Sequence, residues 1–202
     1  MQYTVALLLV GLQATAQTRI QPGVASKVYP DFSEMARRGG VSGTVLLRLT
    51  VGADGIARDP QVLRPLGYGL DEKAVDAVMH WKFSPAMKDG VAVEVPATIE
   101  MNFRSLSNKH QSLGPMVFTK EQGVIPPAIT ELDMPPFSSP GEATLEFNVT
   151  EQGDTENYKI ISNLTSADQK LLLEAFRKWK FRPGTRDGVT VPLRGTVTYT
   201  VH

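Results

Sequence analysis

The sequence predicts an α+β protein made of two tandem small units, each a three-stranded antiparallel sheet with one or two helices packed on one face. Three observations carry this. Trp81-Lys82-Phe83-Ser84-Pro85 recurs as Trp179-Lys180-Phe181-Arg182-Pro183, an offset of 98 (179 − 81), and these are the only two tryptophans. The same offset relates Gly43 to Gly141, Val51 to Val149, Gly55 to Gly153, Ala77 to Ala175 and Asp89-Gly90-Val91 to Asp187-Gly188-Val189, without a gap from Gly43 onward. A repeat this long marks two copies of one structural unit. Within each copy, stretches of period two alternate with one stretch at helical spacing, and antiparallel strands with helices on one face give α+β.

Taken in order, Met1 to Ala16 reads as a signal peptide. Val5 to Leu12 is a short apolar run and Ala14-Thr15-Ala16 is a cleavage pattern, so an exported chain beginning at Gln17 is expected, with an inner-membrane anchor facing the periplasm as the alternative. The run is too short to span a bilayer, which needs about 20 residues. Residues 17–27 have no clear period and read as a lead-in. Tyr29-Pro30 opens a short helix, Pro30 to Arg38, since proline suits a first turn; Phe32, Met35 and Ala36 are helically spaced and Gly39-Gly40 ends it.

Val45, Leu47, Leu49 and Val51 alternate with Thr44, Leu46, Arg48 and Thr50, which predicts a strand with one buried face. Ala53-Asp54-Gly55 is a hairpin signal, and Ile56 to Arg64 is the return strand, weakened by Pro60 toward an edge or bulge. Leu70 to Lys82 is the main helix. Asp71 is the expected N-cap, and Ala74, Ala77, Val78 and Trp81 share one face. Pro85 stops the helix. Val91 to Phe103 alternates as one long closing strand.

Residues 105–136 read as a Pro- and Gly-containing linker with a strand near Met116 to Phe118. By offset, Pro127 to Phe137 stands where the first helix stood, and Pro135-Pro136 would break it. In the second copy, Ala143 to Val149, Tyr158 to Ile161 and Val189 to Val201 are the strands. Ser166 and Gln169 read as a capping box before Leu172, Ala175, Phe176 and Trp179. The domains are thus 28–104 and 137–202.

The chain has 202 residues, 21 basic and 21 acidic, and no cysteine. Zero net charge leaves no electrostatic footprint for nucleic acid. The absence of cysteine excludes disulfides, thiolate metal sites and a cysteine nucleophile. The three histidines, His80, His110 and His202, are explained by surface positions. The acidic set Asp71, Glu72 and Asp76 is not repeated, its counterparts being Gln169, Lys170 and Glu174. No hydrolase, metalloprotease or phosphate-loop motif occurs. The reading is a non-enzyme with no cofactor, no metal and no small-molecule substrate.

The unit resembles the TonB C-terminal domain family of Gram-negative bacteria. Tyr29-Pro30, Ala36 to Gly43, the strand and turn Val45 to Gly55, Asp71 to Pro85 with its Trp-Lys-Phe-x-Pro ending, and the alternation through Phe103 carry the resemblance. It covers nearly all of Val28 to Arg104 and is weaker over Gly141 to His202. The resemblance implies a periplasmic role in energised transport across the outer membrane. It also implies a partner: a short extended receptor peptide that adds as a strand beside the sheet. A small sheet with one covered face leaves open edges, and strand addition needs only main-chain groups. The candidate partner-binding residues are Tyr29, Pro30, Val95, Ala97, Thr98, Ile99, Glu100, Met101, Asn102 and Phe103. The alternative is a periplasmic scaffold whose repeats bind envelope proteins or each other. Docking needs a free edge on the closing strand; the scaffold reading predicts that edge is blocked.

Overall fold

The computed structural model describes residues 19–105, 111–137 and 139–202; the signal segment Met1–Ala16 and His110 lie outside them. The architecture is mixed α and β, with antiparallel strands throughout. In the first half a central strand, Gly43–Val51, lies between the return strand Ala57–Arg64 and the closing strand Val95–Phe103. In the second half Gly141–Val149 lies between Thr155–Ser162 and Leu193–Val201. Every central–closing pair is shifted by 98, from Gly43↔Phe103 and Val51↔Val95 to Gly141↔Val201 and Val149↔Leu193. One side of each sheet is apolar. Val45, Leu47, Leu49 and Val51 are buried, as are Ala143, Leu145, Phe147 and Val149, and both sets belong to one continuous core.

The helices are α1 (Glu34–Arg38), α2 (Leu70–Met79) and α3 (Ser166–Phe176). Several boundaries differ from the sequence reading. α1 starts four residues after Pro30, because Ser33 caps it: Ser33 Oγ accepts from Ala36 N at 3.0 Å and donates to the Tyr68 carbonyl at 2.5 Å. Asp71 does not cap α2. The N-cap position is Gly69, and the Asp71 carboxylate instead accepts from the amides of Leu66 and Gly67, at 2.8 and 2.9 Å, bracing the loop before the helix. Ser166 and Gln169 form no capping box. Thr165 is the N-cap and accepts from Asp168 N, while Gln169 Nε2 donates to the Leu164 carbonyl.

The largest difference is at the repeated pentapeptide. α2 ends at Met79, with His80 as its C-cap, so Trp81 lies beyond the helix and Lys82–Ser84 is a strand. Pro85 biases Ser84 toward extended backbone. The helix also loses Phe83 to another acceptor, since Phe83 N donates to the Gly55 carbonyl at 3.0 Å. The second half repeats this: Lys180–Arg182 is a strand, and Phe181 N donates to the Gly153 carbonyl at 2.9 Å. The hairpin-turn glycine, Gly55 or Gly153, and the Trp-Lys-Phe segment recur together because they hold each other.

The closing stretch is not one strand. Val91–Val93 turns back on Ala86–Lys88 around Asp89-Gly90, both at positive φ, and the closing strand starts only at Val95. The lead-in is not irregular either. Arg19–Ile20 pairs with Ala86–Lys88, and Gly23–Ser26 with Lys82–Ser84. Residues 111–137 contain four short strands: Gln111–Leu113, Val117–Phe118, Val124–Ile125 and Ala128–Glu131.

These pairings revise the alignment upstream of Gly43. Ile129 pairs with Phe181 as Val24 pairs with Phe83, and Glu131 with Lys180 as Ser26 with Lys82. The indole of Trp179 donates to the Asp133 carbonyl as that of Trp81 donates to the Val28 carbonyl, both at 2.7 Å. The offset here is 105 (129 − 24, 131 − 26, 133 − 28) rather than 98. The second half is therefore seven residues shorter between Asp133 and Gly141 than the first is between Val28 and Gly43, and among the described residues α1 has no counterpart there.

Candidate functional site

The closing strand of the first half lies at the rim of its sheet. Its inner side pairs with Gly43–Val51 at all nine positions; among the described residues no strand pairs with its outer side. Burial alternates as the sequence predicts. Val95, Met101 and Phe103 are buried and Ala97 and Ile99 partly so, while Pro96, Thr98, Glu100 and Asn102 are exposed. On the solvent face Thr44 Oγ1 donates to Asn102 Oδ1 at 2.5 Å, and Arg64 approaches Glu100 at 4.0 Å.

The second half shows which backbone groups face outward. There the outer side of Leu193–Val201 is occupied by the chain itself. Leu113 lies opposite Tyr199 and Val117 opposite Thr196, with Gly114 N donating to the Thr198 carbonyl (2.8 Å) and Thr119 N to the Arg194 carbonyl (2.9 Å). Even-numbered residues of that strand thus point their N–H and C=O away from the central strand. In an antiparallel ladder both groups of one residue face the same side. The two registers being identical, Thr98, Glu100 and Asn102 point theirs into the open edge of the first half. Pro96 has the same parity, where its missing N–H costs no ladder bond. The odd residues bond inward and bury their side chains, which fixes the register.

The opposite rim is blunted in both halves. The return strands carry a bulge with a residue at positive φ, Asp59 (+50°) in the first and Asn157 (+56°) in the second, and Pro60 follows in the first. Bulges and proline discourage pairing at an edge. The closing edge of the first half has no such defence along Ala97–Phe103.

Tyr29 and Pro30 are placed between two anchors. The Val28 carbonyl is held by the Trp81 indole, and Phe32 meets Phe103 edge-to-face at 5.9 Å between ring centroids. Between them the Tyr29 ring is 85% exposed and Pro30 is half-buried. Lys27 Nζ stands 5.4 Å over the Trp81 ring.

The strand that fills the second edge was legible only in part. Met116 to Phe118 reads as a strand, but Gln111–Leu113 is too short to show a period. One signal was available: Gly195 stands where the first copy has Ala97. A Cβ on Gly195 would come within 2.8 Å of Phe118 Cε1 and 2.7 Å of Phe147 Cζ, so the glycine makes room for the crossing ring.

Among the described residues no group of three His, Asp or Glu side chains could hold a metal. His80 Nδ1 bonds the Asp76 carbonyl and His202 Nε2 meets Ser112 Oγ. Burial pushes the Tyr68 phenol well above its ordinary range. Its hydroxyl donates to the Gly114 carbonyl at 3.0 Å, which is a structural role. Among the described residues no helix is long and apolar enough to cross a membrane.

The family described as Gram-negative bacterial TonB protein C-terminal matches residues 28–105 and again residues 139–201. The chain belongs to this TonB C-terminal family. Protein TonB of Vibrio cholerae is 35% identical over 82 residues, 40% of this chain and 34% of that one. Protein tonB2 of Pseudomonas aeruginosa is 40% identical over 78 residues, 36% of this chain and 29% of that one. The chain thus spans about a third of the length of these TonB relatives. The solution NMR structure of the Pseudomonas aeruginosa TonB CTD aligns with 44% of this chain and 91% of that one, at 26% identity and a TM-score of 0.38.

Proposed function

We propose that the chain is a periplasmic TonB-like module that docks an extended peptide of an outer-membrane receptor along the outer edge of Val95–Phe103, in the service of energised transport. Residues 28–104 and 137–202 are two copies of one unit, and the first is the docking copy. One observation carries the reading: of the four nine- and eight-residue strands that flank the two central strands, only this one is both unbulged and unpaired on its outer side among the described residues. Thr98, Glu100 and Asn102 supply three backbone donors and acceptors to a partner strand, so recognition is main-chain and needs no chemical motif. Family membership supports a partner of the receptor class.

Amide shifts of the full-length labelled protein, titrated with synthetic amino-terminal peptides of the source bacterium's outer-membrane receptors, test this. Thr98, Glu100 and Asn102 are expected to shift most. If amides from Val95 to Phe103 stay still for every peptide at about millimolar concentration, a dissociation constant weaker than that range removes receptor docking. The scaffold reading then takes its place.

A further inference from the structure

The two closing strands have the same register on their central strands and opposite states on their outer sides. What fills the second edge is a built seat. Leu113 and Met116 are each 2% exposed. Phe118 packs edge-to-face on Phe147 and on Phe181, at 6.2 Å in each case, over the glycine at 195. The Tyr199 hydroxyl donates to Gln111 Oε1 at 2.5 Å.

The same residues are stapled to the first half. Leu113 N donates to the Gly39 carbonyl (2.9 Å), Met116 N to the Leu66 carbonyl (3.2 Å), and Tyr68 Oη to the Gly114 carbonyl. A Cβ on Gly40 would come within 2.8 Å of the Gln111 carbonyl oxygen, so the end of α1 is shaped to this segment. Among the described residues the second half has no counterpart of α1 and offers no such seat in return. The first half has Ala97 and Leu49 where the second has Gly195 and Phe147, and so lacks the slot for a ring like Phe118.

We propose that residues 111–119 are a resident strand of the second half, held in cis in the place a partner strand takes on the first. The chain therefore offers one docking edge and not two, and its second half is a closed support for the first. This rests on reading the first closing strand as a docking edge.

The test uses the full chain without any receptor peptide, so its outcome is independent of the titration above. Hydrogen exchange followed by NMR should find the amides of Thr196 and Thr200, which lie opposite Val117 and Ser112, slower than those of Thr98 and Asn102 by about 100-fold or more, as paired groups differ from open ones. Equally fast exchange in both sets would mean the cis strand is not seated; equally slow exchange would mean the first edge is covered too. Either result overturns the proposal. A synthetic peptide of residues 111–120 is the second probe. In the native chain it should leave Thr196, Thr198 and Thr200 unmoved. In Leu113→Ala/Phe118→Ala it should shift them, because the edge is vacated. Shifts of equal size in both proteins would refute residency. Should the double variant unfold, the exchange rates of the native chain still decide.

Discussion

Trp81→Ala and its counterpart Trp179→Ala should each cost about 3–5 kcal/mol, the range for truncating a buried large aromatic. The structure ranks them. Trp179 is 1% exposed and packs 4.6 Å from the Phe176 ring; Trp81 is 7% exposed, 6.0 Å from Phe83, and partly roofed by Lys27. Trp179→Ala therefore belongs at the upper end. Each indole also ties the segment just after a short strand, at Val28 or Asp133, to the turn that follows α2 or α3. That bond alone is worth about 1 kcal/mol, so Trp→Phe at either site should cost much less than Trp→Ala. In a chain of this size each kcal/mol lowers the melting temperature by roughly 2–4 °C, giving a fall of about 6–20 °C for the alanine variants. Urea and thermal melts of the full chain, followed by far-UV circular dichroism, measure both. The halves share one core, so one transition is expected for each variant. A loss under about 1 kcal/mol for Trp81→Ala, or a larger loss for Trp→Phe than for Trp→Ala, would refute the reasoning.

Thr98→Pro should leave stability within about 1 kcal/mol, because its N–H faces the open edge. Ile99→Pro should cost about 1–3 kcal/mol more, because it leaves the Leu47 carbonyl unpaired; urea melts in the reverse order would show the parity to be wrong. Gly153→Ala should destabilise by at least about 2 kcal/mol, since φ is +84° and a Cβ would sit 1.9 Å from the Phe181 carbonyl oxygen; a neutral melt would contradict this. Two carboxylates should titrate apart. A hydrogen bond from the Arg58 side chain, with one from the Ile56 amide, holds Asp54 well below the usual range, whereas burial raises Asp71 against the amide bonds from Leu66 and Gly67. Asp54 thus contributes stability above its unfolded value of about 4, lost as pH falls through the folded one; Asp71 contributes below that value, and its share is lost as pH rises through the raised one. Carboxyl carbon titration should place Asp71 above Asp54, and coincident midpoints would reject the assignment.

The long strands were legible because each buries one face, which writes a period of two into Val45–Val51 and Ala143–Val149. The body of α2 was legible for the same kind of reason. Its end was not, because Trp81 continues the helical spacing while its backbone has left the helix, and the competing acceptor at Gly55 is distant in sequence. Asp71 and Ser166 are good capping residue types whose neighbours supply the cap or the competing bond. Strands of two to four residues, such as Gly23–Ser26 and Ala128–Glu131, carry too few residues for a pattern, and only their partners reveal the shift from 98 to 105. Of the candidate site, the alternation of Val95–Phe103 was legible. The occupied second edge was not, since it depends on a contact between residues about ninety apart, such as Gln111 and Val201.

That contact bears on the order in which the molecule is made. In the first half the closing strand is laid on the rim of a sheet already begun. In the second, Leu193–Val201 is synthesised after every strand it touches, yet it lies inside the sheet, with Gln111–Leu113 and Val117–Phe118 on one side and Gly141–Val149 on the other. It enters as a keystone between flanks that wait for it. Pairings of such long separation form slowly. Deleting residues of Val95–Phe103 would trim a rim, whereas deleting residues of Leu193–Val201 would open the middle of a sheet.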